Sequence, residues 1–378
     1  MSIMTNNGDH IVLAGTGRAK SMLMYTKGET IIDITRTYFN HVVWDMAYSD
    51  PIPDMPLDVQ LEFTNRCNLV CESCPIRSNS RTHSMLEWDV LSEVADEAAR
   101  ESVCYFTICG IGEPTLSSNV FRFLRYVRNL KVDPKGLRTL SVIPTVMISN
   151  GMWTAKQLDA LIADPPDLLS VSLAGFTDAD ILARRGGINI ERFRHNVGEL
   201  FRRRHLKRPV DGGISPVIHV STHVFPREMQ NDVAMKTFIE TWLDISDVVV
   251  VKPTMITQRY NNPAMFAGDT YLAYSNISEN HFERTAPCFE TSRRLSVNSD
   301  GNVWCGHHNS EDFGDFLGNV KQQSLREIWH GKEMNVFRQQ VRAAVFCRRA
   351  CRSCGGEIRD VHRKGSREME SEIHFGSS

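Results

Sequence analysis

Leu57-Asp-Val-Gln-Leu-Glu-Phe63 runs directly into Thr64-Asn-Arg-Cys-Asn-Leu-Val-Cys-Glu-Ser-Cys74, and this stretch decides the fold. The first seven residues alternate apolar and polar side chains, the period of a strand with one buried face. Cys67, Cys71 and Cys74 follow with Cys-x3-Cys-x2-Cys spacing, which can wrap three thiolates around one side of a soft-metal site but supplies no fourth ligand. Closed zinc sites and most electron-transfer clusters take four protein ligands. An open triplet therefore points to a 4Fe-4S cluster with one iron left for a small molecule. Two other readings of the triplet alone are a zinc knuckle completed from elsewhere, for example by His83, and a set of buried structural cysteines.

Outward from this stretch, strand-like and helix-like patterns alternate, as in a parallel α/β sheet or barrel. Further strands are expected at Val103–Cys109, Pro144–Ser149, Leu168–Leu173, Val217–Val224 and Val248–Pro253. Capping boxes are expected at Ser84 with Glu87, Thr154 with Gln157 and Ser324 with Glu327. Six strands with five intervening helical patterns predict a partial (β/α)6 TIM-like barrel over 57–253. Pro51, Pro53 and Pro56 separate it from an extension at 1–56, expected to hold a strand and a helix. Gly15-Thr-Gly17 in that extension lacks the third glycine of a phosphate loop and reads as a turn. Residues 254–285 are aperiodic and read as a linker. Residues 286–356 form a small cysteine-rich segment with a hairpin-like Leu295–Trp304, and 357–378 is a charged tail.

The 378 residues hold 43 Lys and Arg against 45 Asp and Glu, a formal charge of -2, which argues against nucleic acid or a membrane surface as a partner. No apolar run approaches the length of a membrane span and no signal-peptide pattern opens the chain, so a cytoplasmic protein is expected. Eight of the ten cysteines fall in two groups with metal-like spacing, and read as metal ligands rather than a disulfide framework.

The triplet behind a first strand, followed by Gly110-Ile-Gly-Glu-Pro114 behind the second, resembles the radical S-adenosylmethionine (SAM) enzyme family. The resemblance implies a SAM-binding 4Fe-4S cluster on Cys67, Cys71 and Cys74. It implies SAM held by Gly110, Gly112, Glu113 and Pro114, with the SAM amino group at Glu113. Ser149, Asn150, Ser172 and Arg184 or Arg185 match positions that hold its ribose and carboxylate. Ser73 stands where the family usually has an aromatic residue, so no adenine contact is assigned.

The C-terminal segment resembles the SPASM/twitch extension of the same family, through Cys288, Asp300-Gly-Asn-Val303, Cys305, Leu317-Gly-Asn-Val320 and Ser324-Leu-Arg-Glu-Ile-Trp329. Five cysteines there favour one auxiliary 4Fe-4S cluster on Cys288, Cys305, Cys351 and Cys354, with Cys347 spare or a substitute ligand. Zinc on the same cysteines stays open, because thiolate ligation alone does not choose between the two. A flavodoxin- or ferredoxin-type electron donor is the implied partner.

Strand alternation adds an inference that the resemblance does not contain. His219, Ser221 and His223 share one face of the fifth strand, and Glu62 and Lys252 can point the same way, into the barrel. Cys109 is the inward cysteine of the second strand, and Cys104 faces outward. A polar lumen suits a hydrogen-bonding substrate; a self-satisfied network such as Glu62 with Lys252 is the alternative. The expected function is a radical SAM oxidoreductase that abstracts a carbon-bound hydrogen from a small polar substrate, a sugar or aminocyclitol. The reaction would be a dehydrogenation with the auxiliary cluster as electron acceptor. Glu62, His219, His223 or Lys252 would take the substrate proton, and Cys109 would be the hydrogen donor if the reaction were an epimerisation. The alternatives are a maturase that epimerises or crosslinks a ribosomal peptide, and a non-catalytic Fe-S or zinc-binding protein.

Overall fold

The computed structural model describes residues 2–6, 10–14, 23–26, 51–72, 74, 76, 81–138, 140–208, 212–253, 289–304 and 316–343. An antiparallel meander of β1 (Ser2–Asn6), β2 (His10–Ala14) and β3 (Leu23–Thr26) comes first. Six parallel strands follow: β4 (Asp58–Leu61), β5 (Tyr105–Ile108), β6 (Thr145–Ser149), β7 (Leu168–Ala174), β10 (Val217–Val224) and β11 (Val248–Pro253). They lie side by side in chain order, interrupted only by a short hairpin, β8 (Leu206–Lys207) with β9 (Ile214–Ser215), which forms its own two-stranded sheet. Between them run α1 (Trp88–Arg100), α2 (Asn119–Asn129), α3 (Ala155–Ala163), α4 (Asp178–Arg184), α5 (Ile190–Arg203), α6 (Pro226–Met229) and α7 (Asp232–Leu243). This is the predicted succession of βα units, and each expected strand is present with ends trimmed by at most a few residues.

The two faces of the sheet differ. Val59, Leu61, Phe106, Ile108, Met147, Leu169, Val171, Leu173, Ile218, Val220, Val249 and Val251 pack into one core with the apolar stripes of the helices, including Leu91, Phe123, Leu161, Phe193 and Trp242. Residues one position away along the same strands point to the opposite face. There Val146, Leu168 and Val217 form a separate apolar cluster, and the rungs beyond it mix polar side chains from β7 and β10 with Ile148, Val248 and Val250. The Lys252 ammonium acts electrostatically on the Cys109 thiol. In a flat sheet β5 and β11 would be four strand spacings apart, about 19 Å at ~4.8 Å each. The sheet is therefore curled, with this mixed face inside.

Both edges are extended. β3 pairs antiparallel with β11, and β12 (Arg294–Val297) pairs parallel with β4, followed by β13 (Asn302–Trp304) and β14 (Gly318–Asn319). Leu295, Val297, Trp329 and Phe337, from β12 and from α8 (Leu325–Trp329) and α9 (Lys332–Arg342), join the same core as the barrel helices.

The capping boxes form at Thr154 with Gln157 and at Ser324 with Glu327. The one expected at Ser84 with Glu87 does not: α1 starts at Trp88, with Glu87 as an N-cap lacking a side-chain bond. Ser84 is held by tertiary partners instead, its hydroxyl 2.7 Å from that of Ser299 and its N–H donating to Asn65 Oδ1 at 3.0 Å. In the extension, where a strand and a helix are expected, residues 2–6, 10–14 and 23–26 form strands and 51–56 form neither. Gly15 to Gly17, the linker, Ser73 and Cys288, Cys305, Cys347, Cys351 and Cys354 lie outside the described residues. Among the described residues no helix is long and apolar enough to cross a membrane.

Candidate active site

The cysteine loop leaves the C-terminal end of β4 and is clamped on two sides. Thr64 Oγ1 donates to Ser84 O at 3.0 Å and Asn65 Nδ2 to Thr82 O at 2.9 Å. Val70 N–H donates to Gly186 O and Glu72 N–H to Arg184 O, both at 2.9 Å, tying the loop to the end of α4. Under it passes the glycine-rich turn, so close that a Cβ on Gly112 would sit 2.0 Å from Thr64 O; only glycine fits there.

Cys67, Cys71 and Cys74 are free thiols, each partly buried. Burial raises the pKa of Cys67, and it pushes Cys74 up to about 11 with the charges of Cys71 and Cys67 adding to the effect. Thiols in such surroundings become thiolates when a metal centre draws off the proton. His83 is exposed. Three neighbouring thiols fit a cluster in which each ligates a different iron.

Glu113 is buried at 2% exposure and its carboxylate is fully engaged. It accepts from Asn150 N–H at 2.7 Å, Ser149 Oγ at 2.8 Å, and Thr115 Oγ1 and N–H at 2.7 and 3.2 Å. Burial raises its pKa against the opposing effect of these bonds. Ser149 also accepts from Trp153 Nε1 at 2.8 Å. Glu113 and Ser149 thus pin the glycine-rich turn to the end of β6. Asn150 reaches the cysteine loop, its Nδ2 lying 2.6 Å from Asn68 Oδ1 and 3.6 Å from Cys67 Sγ. What this wall offers a ligand is the backbone of the Gly110 to Gly112 turn and the Asn150 amide.

The two candidate arginines separate clearly. Arg184 makes a bidentate pair with Glu228 at 2.5 and 2.8 Å and stacks over Phe225. Arg185 is buried, makes no ion pair among the described residues, and leaves Nε without a partner. Its charge acts on Cys74 and on His223, so Arg185 is the arginine brought to the site.

The inner face is layered. Leu168 and Val217 are register partners at its floor; Ser170 and His219, then Ser172 and Ser221, then Ala174 and His223 follow toward the strand ends. Lys252 is the register partner of His223 on β11. His219 is buried at 2% exposure, and desolvation followed by the Lys252 charge lowers its pKa to about 3. His223 is shifted the same way by surrounding protein, Lys252 and Arg185, but its ring reaches solvent, which softens the effect. Burial also lowers the pKa of Lys252 and raises that of Cys109 to about 11. Cys104 lies at the opposite end of β5, its sulfur bonded to Ser102 O at 3.7 Å.

Glu62 does not pair with Lys252. Its carboxylate takes Arg81 at 2.6 Å, Ser299 Oγ at 2.9 Å, Ser299 N–H at 3.2 Å and Ile111 N–H at 3.0 Å. Deeper, Asp58 pairs with Arg294 at 2.5 Å and accepts from Thr107 at 3.1 Å. Asp58 was legible as inward-facing because it alternates with Gln60 and Glu62. Arg81, Arg294 and Ser299 carried no local signal, since they arrive from a loop and from β12 across long sequence separations.

Two family models match the chain: the Radical SAM superfamily over residues 61–219 and an iron-sulfur cluster-binding domain, SPASM, over residues 288–355. Mycofactocin maturase MftC of Mycolicibacterium smegmatis is 30% identical over 147 residues, 34% of this chain and 37% of that protein. Its counterpart in Mycobacterium ulcerans is 28% identical over 166 residues, 39% of this chain and 43% of that protein. The match spans about two fifths of the length of these relatives. Among solved structures, Streptococcus suis SuiB aligns with a TM-score of 0.53 at 12% identity, covering 95% of this chain and 97% of SuiB. The protein anSMEcpe with bound AdoMet aligns with a TM-score of 0.52 at 17% identity, covering 80% of this chain and 84% of that one. These two likenesses concern the fold.

Proposed function

This chain belongs to the radical SAM superfamily and carries a SPASM iron-sulfur domain, and from that premise we propose that it modifies a peptide. The observation that carries this reading is the likeness to two mycofactocin maturases, 30% and 28% identical over the matched regions. SuiB, which shares the fold, has also been solved bound to its precursor peptide SuiA, an alignment with a TM-score of 0.50. The peptide maturase, an alternative reading of the sequence, is favoured over the sugar or aminocyclitol because the curated relatives are maturases.

Cys67, Cys71 and Cys74 would hold a 4Fe-4S cluster, which together with SAM would supply a radical able to take a carbon-bound hydrogen. The chain supplies the surroundings. Arg185 offers a buried cation to the SAM carboxylate, and Asn150 with the Gly110 to Gly112 backbone lines the wall beside it. Val146, Leu168 and Val217 give the lumen an apolar floor. Neutral His219 and His223 can each hydrogen-bond to a substrate above them. Cys109 keeps its S–H at neutral pH, as a hydrogen donor must.

The test is anaerobic reconstitution with a strong reductant and SAM, in the presence of a short peptide encoded beside the gene. SAM should yield 5'-deoxyadenosine, and the peptide should change mass only when SAM is present. The Cys71→Ala variant should do neither. Turnover of a sugar or aminocyclitol with no mass change in any such peptide would overturn the peptide reading while leaving the SAM chemistry intact.

A further inference from the structure

Lys252 is a cation on the inside of the barrel with no counter-charge among the described residues. Asp58 is paired with Arg294 and Glu62 with Arg81, while Glu113 is occupied by Ser149, Asn150 and Thr115. Every described carboxylate that faces the inside is therefore satisfied by a neighbour other than Lys252. Lys252 makes no ion pair or hydrogen bond among the described residues, and the titratable groups that sense its charge are His219, His223 and Cys109. One rung below it, on the adjacent strand, the Ser221 hydroxyl is buried at 2% exposure and also has no hydrogen-bond partner. Ser172 stands level with Ser221 on β7 and is partly open to the same space. Lys252 is half-buried, and a cation taken even partly out of water without a partner is costly unless something else is served.

We propose that Lys252, with the hydroxyls of Ser221 and Ser172 beside it, is a subsite that holds a carboxylate of the substrate. Arg185 stands nearer the cysteine triplet, where its charge acts on Cys74, so the two cations divide two anions: Arg185 takes that of SAM and Lys252 that of the substrate. The lysine then anchors the substrate beside neutral His219 and His223. On a peptide a carboxylate comes from the C-terminus or from an Asp or Glu side chain. This identification rests on the peptide reading above, but the experiment below does not depend on that reading's own test.

Three small probes separate the cases: N-acetylglycine for a terminal carboxylate, N-acetylaspartic acid α-amide for a side-chain carboxylate, and neutral N-acetylglycinamide. Their affinities are measured by saturation-transfer NMR on the anaerobically reconstituted full-length protein with SAM bound. One carboxylate probe should bind roughly tenfold or more tightly than the neutral amide, as a charge-assisted contact predicts. Which one binds identifies the source. The preference should vanish in Lys252→Met and survive in Lys252→Arg, while the dissociation constant for SAM stays the same in both variants. Without probe, Lys252→Met should melt at a higher temperature than the parent, because it removes an unpartnered cation. The proposal is overturned by equal binding of all three probes or by a preference that persists in Lys252→Met. It is also overturned if SAM affinity falls with the probe's, or if Lys252→Met melts lower, since the lysine would then serve SAM or the fold.

Discussion

Gly112 shows how little freedom the site has at the scale of single residues. A methyl group there would meet Thr64 O at 2.0 Å and Arg66 O at 2.7 Å, and the latter oxygen also accepts the Glu113 N–H at 2.7 Å. Gly112→Ala should cost about 3 kcal/mol, the upper end for overpacking, and should separate the turn from the cysteine loop. A lower melting temperature together with reduced iron retention would be the outcome. His219 gives a residue-level pH dependence. Its folded pKa of about 3 lies below the ordinary 6.5. Between those values the unfolded chain binds a proton that the buried ring refuses, so stability is complete above the upper value and declines as the pH falls toward the lower. Urea midpoints at pH 7 and pH 4.5 should differ less in His219→Gln than in the parent. Equal differences would mean that the ring is hydrated.

Elements meet through a small number of polar clamps, and α8 shows one on the surface. The Glu97 carboxylate on α1 accepts from Leu325 N–H at 2.7 Å and Arg326 N–H at 2.9 Å, satisfying donors that the start of α8 leaves open. Arg326 then reaches Glu101 and Asp54, each at 2.7 Å. The Arg326 bond, with help from Lys135, holds Glu101 at about 2 against an ordinary 4.5. This stabilisation is therefore present above pH 4.5 and is lost as the pH falls toward 2. The partners are well exposed, so Arg326→Ala should cost only about 1 kcal/mol at pH 7 after screening. Denaturation at pH 7 and pH 3 should show that cost shrinking in acid. An undiminished cost would assign it to packing of the arginine stem. The missing Ser84 and Glu87 box belongs to this scale as well: a local pattern for a helix start was overridden by Ser299, 215 positions away in sequence.

For the whole molecule, the C-terminal segment completes the barrel rather than sitting apart from it, since β12 extends the sheet beside β4 and Ser299 closes the ring around Glu62. With one auxiliary cluster on the C-terminal cysteines, iron should approach about eight per chain, and replacing Cys67, Cys71 and Cys74 together by Ala should leave about half. Iron near twelve in the parent would instead mean two auxiliary clusters. Much of this architecture was legible in the chain itself. Period-two alternation marked the six strands, and with them the inward face of His219, Ser221, His223, Glu62 and Lys252, because alternation is a property of neighbouring residues in an extended backbone. The spacing of Cys67, Cys71 and Cys74 is local in the same sense, and the open triplet followed from it. The partnerships were not legible. Glu62 with Arg81 and Ser299, Asp58 with Arg294, and Arg184 with Glu228 join groups that only the curled sheet and its loops bring together. The sequence alone determined which side chains face inward. The tertiary structure decided which of them are satisfied there and which, as with Arg185 and Lys252, make no ion pair among the described residues, because pairing depends on distances across the fold and not along the chain.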